Sequence, residues 1–265
     1  SVNNISVAPA AGDNADNNFG LWVRANYGFG SSKGSSNDKA DIKDAPYKTN
    51  NIGATIGLDF GQAQDKMLGI AYSYNNGSIN YTNTKEVAEL KVKDKLQTNL
   101  FSLYGLYYFN SNIHLDALAS YGLTNITKEH YNNSGSTLKG KSNMIDTLAS
   151  LGYDLHIADN VLLIPSVGLE YLNYSQNKLE DEDKKVSIAE LKMNKFRVFA
   201  GLSLTGAANF NSGVMNVEIH SRFYQDLNSK ITQGEKNAPL VMDSSDTIIM
   251  SRSNVNIGAS MGYSF

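Results

Sequence analysis

The stretch Asn50–Tyr74 leaves few folds open. From Ile52 to Phe60 every second residue is apolar (Ile52, Ala54, Ile56, Leu58, Phe60), with Gly53, Thr55, Gly57 and Asp59 between them. A strict two-residue period marks a β-strand with two unlike faces. After a short Gly61-Gln62-Ala63-Gln64 turn the pattern returns, with Leu68, Ile70, Tyr72 and Tyr74 opposite Met67, Gly69, Ala71 and Ser73. Two long strands joined this tightly read as a hairpin. The second face decides the surroundings. A soluble sheet usually fills its outer face with Lys, Glu and Arg. Here that face carries Gly, Ser, Thr and Asn with an occasional charge. This suits an antiparallel transmembrane barrel, with lipid outside and a tight polar lumen inside. A soluble antiparallel barrel with an apolar cavity is the competing arrangement.

The alternation recurs along the chain and predicts an all-β fold of ten strands. The first is Phe19–Gly30, with Trp22, Arg24, Asn26 and Gly28 on its polar face. The hairpin supplies the second and third. The fourth covers about Lys95–Phe109; its facing is ambiguous, because Phe101, Leu103, Leu106 and Tyr108 fall on both parities. The others span about Ile113–Thr127, Lys141–Ile157, Val161–Ser175, Ala189–Thr205, Gly213–Asp226 and Arg252–Phe265. Connections alternate in length. Ser31–Tyr47, Asn75–Asp94 (with a helical turn expected at Lys85–Leu90), Lys128–Lys139, Gln176–Ile188 and Leu227–Met250 are long, and the intervening turns are brief. Long loops at one end and short turns at the other are the habit of outer-membrane barrels. Tilted strands of this length cover an apolar band of about 25 Å.

Composition narrows the classes. No apolar run approaches the roughly 18 residues of a membrane-spanning helix. Fifteen Tyr and ten Phe fit interfacial aromatic girdles. A net charge of -3 without a basic stripe argues against nucleic acid. Cysteine is absent, which removes disulfides and thiolate chemistry. The chain opens on Ser1 with no leader pattern, so a mature piece or fragment is expected. Ser1–Asn18, polar and small with Pro9 and Gly12, reads as a linker or pore segment ahead of a barrel domain at 19–265.

With the strands laid out, the chain resembles an autotransporter β-domain of the rickettsial surface-cell-antigen type. The matching segments are Leu21-Trp22-Val23-Arg24, Ile56-Gly57-Leu58-Asp59-Phe60, Leu68-Gly69-Ile70-Ala71-Tyr72-Ser73, Leu103-Tyr104-Gly105-Leu106-Tyr107, Leu163-Ile164-Pro165 and Gly168-Leu169-Glu170-Tyr171. The resemblance implies an outer-membrane translocator that carries and anchors an N-terminal passenger at the cell surface. It also implies three partners: the bilayer with its lipopolysaccharide, the passenger itself, and the outer-membrane barrel assembly machinery. The family usually has twelve strands against the ten found, so both a complete and a truncated barrel stay open. The family's pore helix is disfavoured across Ser1–Asn18 by Pro9 and Gly12.

The candidate functional residues are those aimed at the lumen: Trp22, Arg24, Asp59, Asp116, Glu170, Arg197, Glu218 and Arg222. Opposite charges shielded from bulk water should pair, and a plugging network is the first expectation. A site that grips or cuts the linker is the second. Asn3-Asn4 and Asn17-Asn18 resemble the Asn-Asn junction cut in some autotransporters. No enzyme active site and no cofactor are expected. His114, His130, His156 and His220 lack metal-ligand spacing. Gly28–Gly34 lacks Walker spacing, and no GxSxG is present. The competing functions are a stand-alone adhesin or small porin working through its outer loops, and a ten-stranded protease resembling the omptins. The latter would need an Asp–His pair at the outer rim.

Overall fold

In the computed structural model the described residues are 19–32, 47–62, 65–81, 93–129, 136–183, 187–233 and 253–264. The helical turn expected at 85–90 and the linker at 1–18 lie outside them. Among the described residues thirteen strands form one antiparallel sheet. They are β1 (Phe19–Ser32), β2 (Tyr47–Gln62), β3 (Lys66–Tyr81), β4 (Lys93–Tyr108), β5 (Ile113–Glu129), β6 (Leu138–Tyr153), β7 (Leu155–Ala158), β8 (Val161–Gln176), β9 (Leu179–Glu180), β10 (Ser187–Ile188), β11 (Leu191–Phe210), β12 (Gly213–Gln233) and β13 (Ser253–Ser264). β6 and β7 together make one barrel strand, and β9–β10 is a small hairpin beside it. Ten barrel strands remain. They follow chain order, and β13 returns to pair with β1 from Trp22↔Ser264 to Tyr27↔Ala259, which closes the sheet.

Burial is inverted relative to a soluble protein. Ile70, Leu103, Val167 and Ile219 are about half exposed on the outer face. Asp59, Glu170 and Glu218 are at most 5% exposed within. Such a surface is stable only against lipid, where the closed ladder leaves few bare backbone groups.

Local chemistry explains the connections. Gly61 adopts φ of +108° at the end of β2, a conformation that L side chains rarely take. At the β4–β5 turn the Asn110 side chain accepts the N–H groups of Asn112 and Ile113, both at 2.9 Å. This is an Asx turn. The same turn causes the break between β6 and β7. The Asp154 N–H donates to the Asn112 carbonyl at 2.7 Å, and the Asn112 side-chain amide donates to the Asp154 carbonyl at 2.9 Å. Asp154 therefore leaves the ladder to hold the neighbouring turn.

Two expectations need correction. The lumen is not uniformly polar. A cluster of Trp22, Tyr104, Leu106, Leu118, Leu148, Phe199 and Tyr224 fills its waist. This settles the facing of β4. Phe101 and Leu103 point to lipid, whereas Leu100, Tyr104 and Leu106 point inward at 3–4% exposure. In addition, the charged loop expected at Gln176–Ile188 contains β9 and β10. The hairpin seats Leu179 and Ile188 on Ile126, Leu138 and Leu96 at the outer mouth.

Candidate functional site in the barrel lumen

Alternate residues of every barrel strand meet inside, so side chains far apart in sequence become neighbours. Where two small hydroxyls face each other they bond directly. Ser102–Ser120, Thr98–Thr124 and Thr55–Ser73 are direct cross-strand partners, each pair 2.8 Å apart. These bonds let small hydroxyls on neighbouring strands satisfy one another inside the barrel.

The charges are grouped. Around Trp22 the indole N–H donates to Asp59 at 3.0 Å and to the Tyr104 hydroxyl at 2.8 Å, and Tyr104 donates to Asp59. Arg24 stacks 5.6 Å above the Trp22 ring and lies 3.9 Å from Glu218, which also meets His220 at 3.5 Å. On the far wall Arg197 pairs with Glu170 and covers Tyr224 at 4.2 Å, while Arg222 lies 5.3 Å over Phe199. The Asp146 carboxyl lies close enough to Glu170, Arg197 and Arg222 to feel all three. Near the short turns His114 sits 3.2 Å from both Asp116 and Asp154, and Tyr108 donates to Asp154 at 2.7 Å. At the outer end Lys195 pairs with Asp226 at 3.2 Å and Lys128 with Asp94 at 2.8 Å. Outside the membrane, Lys139 lies 2.9 Å from Glu182 and holds that carboxyl below its usual range.

All eight candidate residues therefore lie inside, in three separate groups: Trp22, Asp59, Arg24 and Glu218; Glu170, Arg197 and Arg222; and Asp116 beside His114. Outward of the waist is a cavity of about 240 Å³, walled by Asn26, Asn51, Asn75, Thr98, Ser142 and Met144 among others, with Arg24 and His220 on its floor. Among the described residues no cluster has the composition of a metal site.

A closed antiparallel barrel with this burial and loop plan is matched in sequence by the family described as "Autotransporter beta-domain", over residues 21–265. The chain belongs to the autotransporter β-domain family. It is 25% identical to outer membrane protein A of Rickettsia conorii over 234 residues, which is 83% of this chain and 11% of that protein. It is 24% identical to outer membrane protein B of Rickettsia prowazekii over 274 residues, 96% of this chain and 16% of that protein. This autotransporter β-domain thus spans about a tenth to a sixth of those relatives. In fold it resembles the translocator domain of autotransporter NalP from Neisseria meningitidis, with a TM-score of 0.61 and 12% identity over 96% of this chain and 90% of that one. It also resembles the transport unit of autotransporter AIDA-I from Escherichia coli, with a TM-score of 0.56 and 13% identity over 95% and 91%. The chain is an outer-membrane barrel.

Several lumen residues of this autotransporter domain escaped the sequence reading as participants. Tyr104 and Tyr108 sit on β4, whose apolar residues occupy both faces, so parity alone did not aim them inward; Phe199 and Tyr224 share the parity of Arg197 and Arg222 but were not singled out. Tyr104 is nonetheless buried at 3% and bonds both Trp22 and Asp59. His114 alternates with Asp116 on β5, and that spacing was the available signal.

Proposed function

We propose that this barrel is a translocator and anchor: it carries an N-terminal passenger joined through residues 1–18 and holds it at the cell surface. The observation that carries the reading is the family match over 21–265 on a closed barrel whose first strand starts, and last strand ends, at the short-turn end. The packed waist suits an anchor, because a barrel left in the membrane after export must not leak. Its role is transport and attachment, with no catalysis assigned to the lumen charges. They rigidify the barrel. The outer-membrane assembly machinery inserts it, and the bilayer with its lipopolysaccharide surrounds it.

The test joins a signal peptide and an epitope-tagged, protease-sensitive passenger ahead of Ser1 in a Gram-negative host. Protease added to intact cells should remove the epitope while leaving the barrel. A passenger protected from protease, beside a barrel that resists SDS until heated, would overturn the reading.

A further inference from the structure

The seam that closes the barrel is zipped along only part of its length. Among the described residues β1 and β13 pair from Trp22↔Ser264 to Tyr27↔Ala259 and no further. Yet β1 continues beside β2 to Ser32, and β13 lies beside β12 from Ser253 onward. Past Tyr27 and Ala259, residues 28–32 and 253–258 thus each keep one strand edge off the ladder. Gly28 and Gly258 are the next residues in line, and the His220 ring lies against Gly258 on its lumen side, where a Cβ would fall 2.6 Å from Nε2. Tyr27 and Phe29, 57% and 70% exposed, mark this as the outer end of the lipid-facing run of β1. Unpaired backbone at that depth is costly unless something polar reaches it.

Two cavities meet at the seam. The lumen cavity is bordered by Gly28 and Phe29 on one side and by Ile257, Gly258 and Ala259 on the other, so it opens sideways. A second hollow of about 540 Å³ lies on the lipid face, on the short-turn side of the opening, between Val23, Ala25, Ala54, Ile56 and Met261. Ala25 faces Ala54 on one side and Met261 on the other, and the small side chains leave a trough with almost wholly apolar walls. Arg24 borders both cavities.

Their chemistry differs as the two ends of an amphiphile differ. In the lumen cavity the Asn51 side-chain N–H and the Asn75 side-chain oxygen are buried, and neither has a hydrogen-bond partner. They offer one donor and one acceptor. The Arg24 charge on the floor is already opposed by Glu218, so the chamber favours an uncharged head over an ionic one. The trough offers only hydrocarbon contact.

We propose that the half-open seam is a side entrance for a single-chain amphiphile from the outer leaflet. Its uncharged, hydroxyl-bearing head enters the lumen between Gly28 and Gly258, and its acyl chain lies in the trough along Val23, Ala25 and Met261.

The experiment uses the full chain refolded into lipid nanodiscs, with a monoacylglycerol carrying a photoactivated diazirine in its acyl chain as probe. Labelled sites are mapped by peptide mass spectrometry. Labelling should concentrate on β1 and β13 around Val23–Phe29 and Ile257–Met261, and excess unlabelled monoacylglycerol should abolish it. A Phe29→Cys/Ile257→Cys pair closes the seam when oxidised. Labelling should vanish in the oxidised form and return on reduction, which separates closure from loss of the two side chains. As a second route, Asn75→Leu with Met144→Trp narrows the chamber from within, and saturable labelling should be lost there too. Heat-modifiable gel mobility confirms that each variant is folded. Labelling spread evenly over the outer face and insensitive to competitor would mean annular lipid only and would overturn the proposal. Labelling that survives in the oxidised pair or in the narrowed chamber would do the same.

Discussion

Arg197 on β11 and Glu170 on β8 are direct partners in the ladder, and their side chains form an ion pair in which Glu170 is 1% exposed. Removing one member leaves a buried charge facing Asp146 or Arg222 without its partner. Glu170→Ala should therefore destabilise the barrel by about 3–5 kcal/mol. The Glu170→Ala/Arg197→Met double variant should recover a large part of that loss. Urea unfolding in lipid vesicles, followed by gel mobility, measures both.

Gly57 lies beneath Trp22. A Cβ added there would fall 2.3 Å from the indole Cζ2, and the ring is already tied to Asp59 and Tyr104. Gly57→Ala should cost about 1–3 kcal/mol through overpacking. Coupling to Trp22→Leu should be strong, since the smaller side chain vacates the space. Trp22 is the sole tryptophan, so its emission reports the shift in Gly57→Ala, while urea unfolding followed by gel mobility measures the coupling to Trp22→Leu.

Depth in the membrane sets the penalty for a charge on the outer face. Ala119 lies within the lipid-facing run of β5 that extends from Ile113 to Leu123, whereas Asn125 lies beyond it. Ala119→Arg should cost about 2–4 kcal/mol and Asn125→Arg about 0–1 kcal/mol. Equal penalties at the two positions would contradict the placement of the apolar band. Reversible unfolding in vesicles gives the comparison.

The β9–β10 hairpin rests on the outer mouth through Leu179, which is 1% exposed against Leu138. Leu179→Asp should release the hairpin and leave the ladder intact. Trypsin added from outside should then cut after Lys178 faster than in the unaltered protein, while the unfolding midpoint of the barrel stays unchanged.

The barrel was readable because its strands obey one rule: lipid selects every second residue, and that selection is local in sequence. The lumen was only partly readable. Trp22, Arg24 and Asp59 declared themselves as polar or aromatic residues on an otherwise small face. The pairings did not, because Trp22 reaches Tyr104 on β4 and Arg24 reaches Glu218 on β12, and strand parity carries no register between distant strands. β4 was opaque because an apolar waist and a lipid face demand the same residue types. The break at Asp154 was hidden for a different reason: its cause is a backbone bond to Asn112, which side-chain pattern does not record.

Closure joins Trp22 to Ser264, almost the whole length of the chain apart. Contacts so distant in sequence are slow to form, because nearly the entire polymer must be confined before the last ladder can add its bonds. Until β13 arrives, β1 remains a free edge, open to pairing with any other extended chain. Assembly thus waits on β13. An interruption anywhere before β13 would strand an unclosed sheet that is prone to aggregate.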